Sequence, residues 1–243
     1  MWGEGYPPRQ EPVMIQNRVL SVQGGRPAME DAAWVDGQTR MVVCDGMGGE
    51  EAGDLASAAV LDLAKVADFE SIKDDAAQAI ARVTHLKAGT TCTVAVLDGQ
   101  TLRWLHAGDS ALWLVVYQDG QSVIRRLTAD QSMWGAMFLA GEDPEKIGRH
   151  RKHQLLSCVM PGMDVSWDEG AVDLPAGAKV WLFGTTDGFH EAFEDERRVV
   201  DQDRLLDVLR DIVVGTLDNA IMAMIECSAR TGDNATLAIW RVR

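Results

Sequence analysis

Three aspartates share one sequence setting, in which an apolar, strand-like run stops at an acid beside a small or turn-forming residue. They are Asp45 in VVCDGMGG, Asp187 in VWLFGTTDG and Asp233 in TGDNATLAIW. An aspartate carried to the buried end of a strand is costly unless it is paired, hydrogen-bonded or coordinated to a cation. Any one of them alone reads more simply as a turn residue, because Asp-Gly and Asp-Asn favour turns and the Asp side chain bonds backbone two residues on. The three together point to a divalent cation, and oxygen ligands without His or Cys favour Mg²⁺ or Mn²⁺ over zinc.

Two further acidic stretches accompany them. GGRPAMEDAAW places Arg26 four residues before Glu30, with Asp31 next to it, and LHAGDSALWLV places Asp109 in a Gly-Asp-Ser turn. Arg26 and Glu30 form either a solvated ion pair, which is worth little, or an arginine that forks two phosphate oxygens beside a metal-binding acid. After Asp45 the residues Gly46, Met47, Gly48 and Gly49 read as a turn. Such a turn lets the Gly46 carbonyl approach a cation without a Cβ in the way.

The elements that must position these residues follow from periodicity. Residues 1–12, MWGEGYPPRQEP, carry Gly and Pro without period and read as a flexible arm, so residues 13–243 are expected to form one domain. MIQNRVLSV is the first expected strand, and AAWVDGQTRMVVCD reads as a hairpin around Asp36-Gly37 that delivers Asp45 to a sheet end. Helical spacing runs from Glu50 to about Phe69 and again through SIKDDAAQAIARVTHL. From Thr90 to Thr128 the period changes to two, with LDGQ and QDGQ as turns, which reads as a β-meander. Two short helices, a strand pair, two more helices and a closing strand, NATLAIWRV, complete the order. Strands and helices in separate blocks indicate α+β, and a four-layer α/β/β/α sandwich of two mostly antiparallel sheets flanked by helix pairs satisfies the order.

Composition narrows the function. The 243 residues are 47% apolar and 25% charged, as expected of a folded chain with a substantial core. A formal charge of −14 argues against general nucleic-acid binding, which needs surplus Lys and Arg. Cys44, Cys92, Cys158 and Cys227 are widely spaced, with no CxxC pair and no signal-peptide pattern, so a reduced, cytoplasmic protein is expected. No apolar run approaches the roughly 20 residues that span a bilayer. None of these cysteines begins the Cys-x5-Arg spacing of a thiolate phosphatase, and GMGGEEAG is neither GxGxxG nor a P-loop.

RPAMED, VVCDGMGG, GTTCTVAVL, AGDSALWL, LTADQS, TTDG and GDNATLAI resemble, in this order, the sequence blocks of the metal-dependent PPM, or type 2C, Ser/Thr protein phosphatases in their bacterial single-domain form. The resemblance runs from about Val13 to Arg243. It implies a metal-dependent hydrolase acting on phosphoserine and phosphothreonine proteins, with two Mn²⁺ or Mg²⁺ ions and a water that attacks phosphorus in line. Asp45 would bridge both ions, the Gly46 carbonyl would complete one site, and Asp187 and Asp233 would hold the other. Glu30 and Asp31 would act through bound waters, Arg26 would grip the substrate phosphate, and Asp109 with Asp187 would hold a third, weaker ion.

Where many relatives have the histidine of DGHGG this chain has Met47, whose thioether cannot donate a proton. His106, His190, Thr128, Asp130 and Ser132 read as structural. The segment near 132–160 occupies the place of the family's flap, and Arg149, His150, Arg151, Lys152 and His153 form either a docking surface for an acidic partner or an ordinary solvated basic patch. The expected setting is a monomer that opposes a bacterial Ser/Thr kinase in signalling, secretion control included. The alternative is a pseudophosphatase, the same fold serving as a regulatory binding module.

Overall fold

A computed structural model describes residues 17–48, 52–119 and 121–242; the arm expected at residues 1–12 and Gly49 lie outside them. Strand β1 (Asn17–Val22) precedes the hairpin β2 (Asp31–Val35) and β3 (Arg40–Gly48). Asp36 builds the hairpin turn as its sequence suggests, with Oδ1 accepting from the backbone N–H of Gln38, Thr39 and Arg40 at 2.7, 2.8 and 2.9 Å. The register places Asp31 opposite Asp45.

Helices α1 (Gly53–Ala64) and α2 (Phe69–Val83) follow. Phe69 begins α2, contrary to the expected first helix, because Asp68 caps it by accepting from Ser71 N–H at 2.8 Å. Then come β4 (Ala88–Thr90), β5 (Cys92–Asp98), β6 (Thr101–Ala107), β7 (Ala111–Gln118) and β8 (Gln121–Arg126). Helix α3 (Met133–Leu139) and two 3-10 turns at Pro144–Lys146 and Arg149–Arg151 fill the flap segment. The chain closes with β9 (Asp168–Asp173), β10 (Lys179–Thr185), α4 (Asp187–His190), a 3-10 turn at Glu191–Phe193, α5 (Gln202–Val214), α6 (Leu217–Thr231) and β11 (Ala235–Arg241).

The expected α+β sandwich is present. One sheet has the order β1-β11-β10-β7-β8 and the other β2-β3-β5-β6-β9, with β4 paired to the end of β3. Residues of β3 alternate faces: Met41 and Val43 enter the layer between the sheets, while Val42 and Cys44 pack under α1 and α2. Helices α5 and α6 cover the opposite sheet through residues such as Leu205, Leu209 and Met224. A strand buried on both faces reads as a continuous apolar run, which is why RMVVC looked strand-like without clear alternation.

The meander does not form as one sheet. β5 pairs with β6 and β7 pairs with β8, but β6 and β7 belong to different sheets. The chain crosses over at Gly108, whose φ of 117° suits glycine. A period of two identifies strands but carries no information on which sheet each one joins. Asp109 therefore stands at a sheet-to-sheet crossover rather than in a hairpin turn.

Candidate active site

The strand-end acids meet at one end of the sandwich. Asp45 sits near the end of β3, Asp187 opens α4 directly after β10, Asp233 precedes β11, and Asp109 lies in the crossover. All four line one cleft of about 540 Å³, together with Arg26, Glu30, Gly46 and Met47. Asp31 lies behind them, its Oδ2 accepting from Thr186 Oγ1 at 2.9 Å and its buried Oδ1 without a hydrogen-bond partner.

Burial and like charge dominate the electrostatics. Burial pushes the Asp45 carboxyl well above the usual range, and the charges of Asp31, Asp187 and Asp109 add to it. Asp109 is raised in the same way, by burial and then Asp187. Asp187 is pushed up to about 6 by burial, Glu191 and Asp233, and Asp31 to about 7 by burial, with Asp187 and Asp233 adding. Carboxylates gathered in a low-dielectric site repel one another until a proton or a cation compensates them.

This arrangement fits hard divalent cations in charge and donor chemistry: the acids supply only oxygen, their charges are mutually unfavourable, and Asp31 Oδ1 is left over. Among the described residues no three acids, His or Cys already stand at ligating distances from a common point.

Arg26 bonds neither Glu30 nor solvent alone: its Nη2 lies 2.5 Å from Asp233 Oδ2, with half of its side chain exposed. Glu30 instead turns toward the start of α1, with its Oε1 against Gly53, and burial raises its pKa. The sequence spacing of Arg26 and Glu30 suggested a pair, but the loop between β1 and β2 folds Arg26 back over β11.

Gly46 and Gly48 are strand residues paired with Thr90 and Ala88 of β4, not turn residues. A Cβ on Gly46 would lie 2.2 Å from Gly53 O and 2.5 Å from Glu30 O, so glycine here lets three backbone segments meet.

Several positioning residues escaped the sequence reading. Asn234 is nearly fully buried; its Nδ2 donates to Gln23 O at 2.7 Å and Ala28 O at 3.0 Å, and its Oδ1 accepts from Glu30 N–H at 2.8 Å. It ties the loop carrying Arg26 and Glu30 to β11. Thr91 fixes Asp45, accepting from its N–H at 2.8 Å, and bonds Ser110 beside Asp109 at 2.8 Å. Thr186 holds Asp31 and accepts from Thr236 N–H at 2.9 Å. Polar residues next to the strand-end acids were the available signal for Asn234, in GDN, and Thr186, in TTD, whereas Thr91 lies 46 residues from Asp45 and had none.

The residues expected to be structural are so. His106 Nε2 donates to Ala129 O at 2.9 Å and its Nδ1 bonds Thr93 Oγ1 at 2.9 Å, while burial holds the ring neutral, its pKa lowered to about 4. His190 is buried against Thr185 Oγ1 at 3.0 Å. Thr128 Oγ1 accepts from Leu112 N–H at 3.1 Å, Ser132 caps α3 by accepting from Gly135 N–H at 3.1 Å, and Asp130 Oδ1 accepts from Ser132 N–H at 3.0 Å. In the basic run His150 and His153 are exposed and His153 lines the cleft, whereas Lys152 is buried.

No protein-family model matches the chain. It is 27% identical over 229 residues to the serine/threonine protein phosphatase PstP of Mycobacterium tuberculosis, covering 86% of this chain and 41% of the relative. The chain thus spans about two fifths of the length of the curated relatives it matches. The crystal structure of M. tuberculosis PstP/Ppp superposes with a TM-score of 0.71 at 24% identity, over 92% of this chain and 97% of that one. The PstP catalytic domain has also been solved in complex with 2 manganese ions, with a TM-score of 0.69 at 23% identity, over 92% of this chain and 96% of that one. The PPM Ser-Thr phosphatase MsPP of Mycobacterium smegmatis gives 0.67 at 23% identity over 95% and 99%, and PppA, described as a key regulatory component of the T6SS in Pseudomonas aeruginosa, gives 0.69 at 19% over 94% and 99%. The chain thus has the fold of these solved serine/threonine phosphatases and is similar in sequence to PstP.

Proposed function

We propose that this chain hydrolyses phosphoserine and phosphothreonine in proteins, using two Mn²⁺ or Mg²⁺ ions. The observation that carries the reading is the convergence of Asp45, Asp109, Asp187 and Asp233 in one cleft beside Arg26. Asp45, the Gly46 carbonyl, Asp187 and Asp233 would hold the ions, Glu30 and Asp31 would support them through water, and Asp109 with Asp187 would offer a third, weaker position. When bound, the ions acidify a water for in-line attack and offset charge on the phosphoryl oxygens.

The chain's own residues supply orientation. Arg26, partly exposed and already paired to Asp233, is placed to exchange that carboxylate for two phosphoryl oxygens, a bidentate geometry that guanidinium suits. Thr91 anchors the backbone of Asp45, and Thr186 holds the Asp31 carboxylate in place. Met47 lines the cleft but cannot donate a proton to the departing serine or threonine oxygen. His106 and His190 are absent from the cleft lining.

The setting we propose is a monomer acting in the cytoplasm on phosphoproteins made by a bacterial Ser/Thr kinase; the likeness in fold to PppA, described as a key regulatory component of the T6SS, supports including secretion control in it. Among the described residues no helix is long and apolar enough to cross a membrane. The test is hydrolysis of a phosphothreonine peptide by wild type and Asp233→Ala, each with Mn²⁺ and with EDTA. Mn²⁺-dependent release that disappears in the variant is expected. Wild type that binds Mn²⁺ but releases no phosphate would make the chain a regulatory module instead.

A further inference from the structure

The run Arg149 to His153 reads as a solvated basic patch, yet Lys152 points inward and is 8% exposed. Its Nζ lies 3.0 Å from Glu191 Oε1, also bonds Glu194 Oε1, and sits 5.0 Å from the centre of the Trp134 ring. Trp134 belongs to α3, the helix of the flap segment. Glu191 and Glu194 belong to the turn that continues α4, whose first residue is Asp187. Burial works against a charge on Lys152, but the two carboxylates outweigh it and keep the ammonium charged.

The main chain on either side of Lys152 forms one wall of the cleft. His153, Gln154 and Leu155 line it directly. Met133 N–H donates to Gln154 O at 2.8 Å and Leu156 N–H to Gln131 O at 2.8 Å, so α3 and this wall move as a unit. Farther along, Thr90 and Val159 exchange two backbone hydrogen bonds of 2.9 Å, which fasten the wall to the strand beside Gly46. Lys152 is thus the side chain that couples the opposite end of the wall to the turn carrying Asp187.

We propose that Lys152 is a positioning residue: clamped between Glu191 and Glu194, it sets the distance between the 153–160 wall and Asp187 and so decides how well a phosphopeptide, as opposed to a small phosphate ester, is held. This rests on the phosphatase reading above. A small ester needs only the acids and Arg26, whereas residues flanking a phosphothreonine must lie along the wall. Removing the ammonium takes from partly buried Glu191 its ion pair and leaves buried Glu194 with Arg198, 3.6 Å away, which favours separation of the wall from the turn.

The experiment measures kcat and KM at saturating Mn²⁺ for a phosphothreonine peptide and for p-nitrophenyl phosphate in wild type, Lys152→Met, Lys152→Arg and the double variant Lys152→Met with Glu194→Gln. The double variant removes one of the two acids, so that a folded protein is in hand if the single variant fails to fold, and thermal unfolding checks each. The ratio of peptide KM to ester KM is expected to rise about tenfold in the methionine variants. Lys152→Arg, which keeps both ion pairs, should restore it. A ratio unchanged in the folded methionine variants overturns the inference and leaves Lys152 a stabilising group alone. Wild type that turns over neither substrate overturns the phosphatase reading itself, and the inference with it.

Discussion

Replacing Gly46 by alanine tests whether the backbone junction beneath the acids is as tight as the structure shows. The added Cβ would stand 2.2 Å from Gly53 O, 2.6 Å from Gly53 C and 2.5 Å from Glu30 O. Ordinary contact requires about 3.5 Å, so the end of β3 must withdraw by roughly 1 Å from both neighbours. Neither neighbour yields easily. Glu30 O accepts from Gly46 N–H at 3.1 Å, and Gly53 begins α1 against the Glu30 carboxylate. Overpacking of this kind costs about 1–3 kcal/mol. In a chain of this length each kcal/mol lowers the unfolding midpoint by about 2–4 °C, which gives a fall of about 2–12 °C.

The control is Gly48→Ala in the same strand, where the nearest atoms to a new Cβ are 3.3 and 3.4 Å away. Its cost should stay below about 1 kcal/mol. Thermal unfolding in EDTA, followed by circular dichroism, separates the two variants without a contribution from metal binding. With Mn²⁺, Gly46→Ala should also lose about 100-fold in kcat, since displacement of the strand carries Asp45 with it. A midpoint for Gly46→Ala equal to that of wild type, or a Gly48→Ala midpoint that falls as far, would refute the packing argument.

Mn²⁺ at about 100 times its dissociation constant should raise the wild-type midpoint by about 5–11 °C through mass action. Asp45→Asn should lose that shift while its metal-free midpoint is no lower than wild type, because a buried, repelled charge has been removed; an equal Mn²⁺ shift in both proteins would contradict the assignment. Asn234→Ala strands Gln23 O, Ala28 O and Glu30 N, so urea unfolding should show a loss of about 3 kcal/mol, and a loss below about 1 kcal/mol would mean water replaces the amide. His106 is held neutral down to about pH 4 by burial, with Arg126 adding, whereas the unfolded ring takes a proton near 6.5. Its contribution is therefore complete above pH 6.5 and is lost as pH falls toward 4, at about 1.4 kcal/mol per pH unit. His106→Gln should flatten the dependence of stability on pH in that window, and a slope identical to wild type would exclude His106 as its source.

The strand-end acids were legible in the sequence because a charged residue closing an apolar run conflicts with local preference, and such conflicts gather at functional sites. The Asp36 turn and the separate blocks of helix and strand were legible too, since short-range geometry determines them. The partner of Arg26 was not, because a spacing of four suggests Glu30 while the β1–β2 loop brings in Asp233, 207 residues away. The crossover at Gly108 was hidden for a related reason: alternation reports a strand's two faces but not the sheet it enters. Gly46 and Lys152 show the same division. The sequence shows that one lacks a side chain and that the other carries a charge. Only the packed structure, by bringing Gly53 against Gly46 and two acids against Lys152, decides what the missing side chain makes room for and which way the charge points.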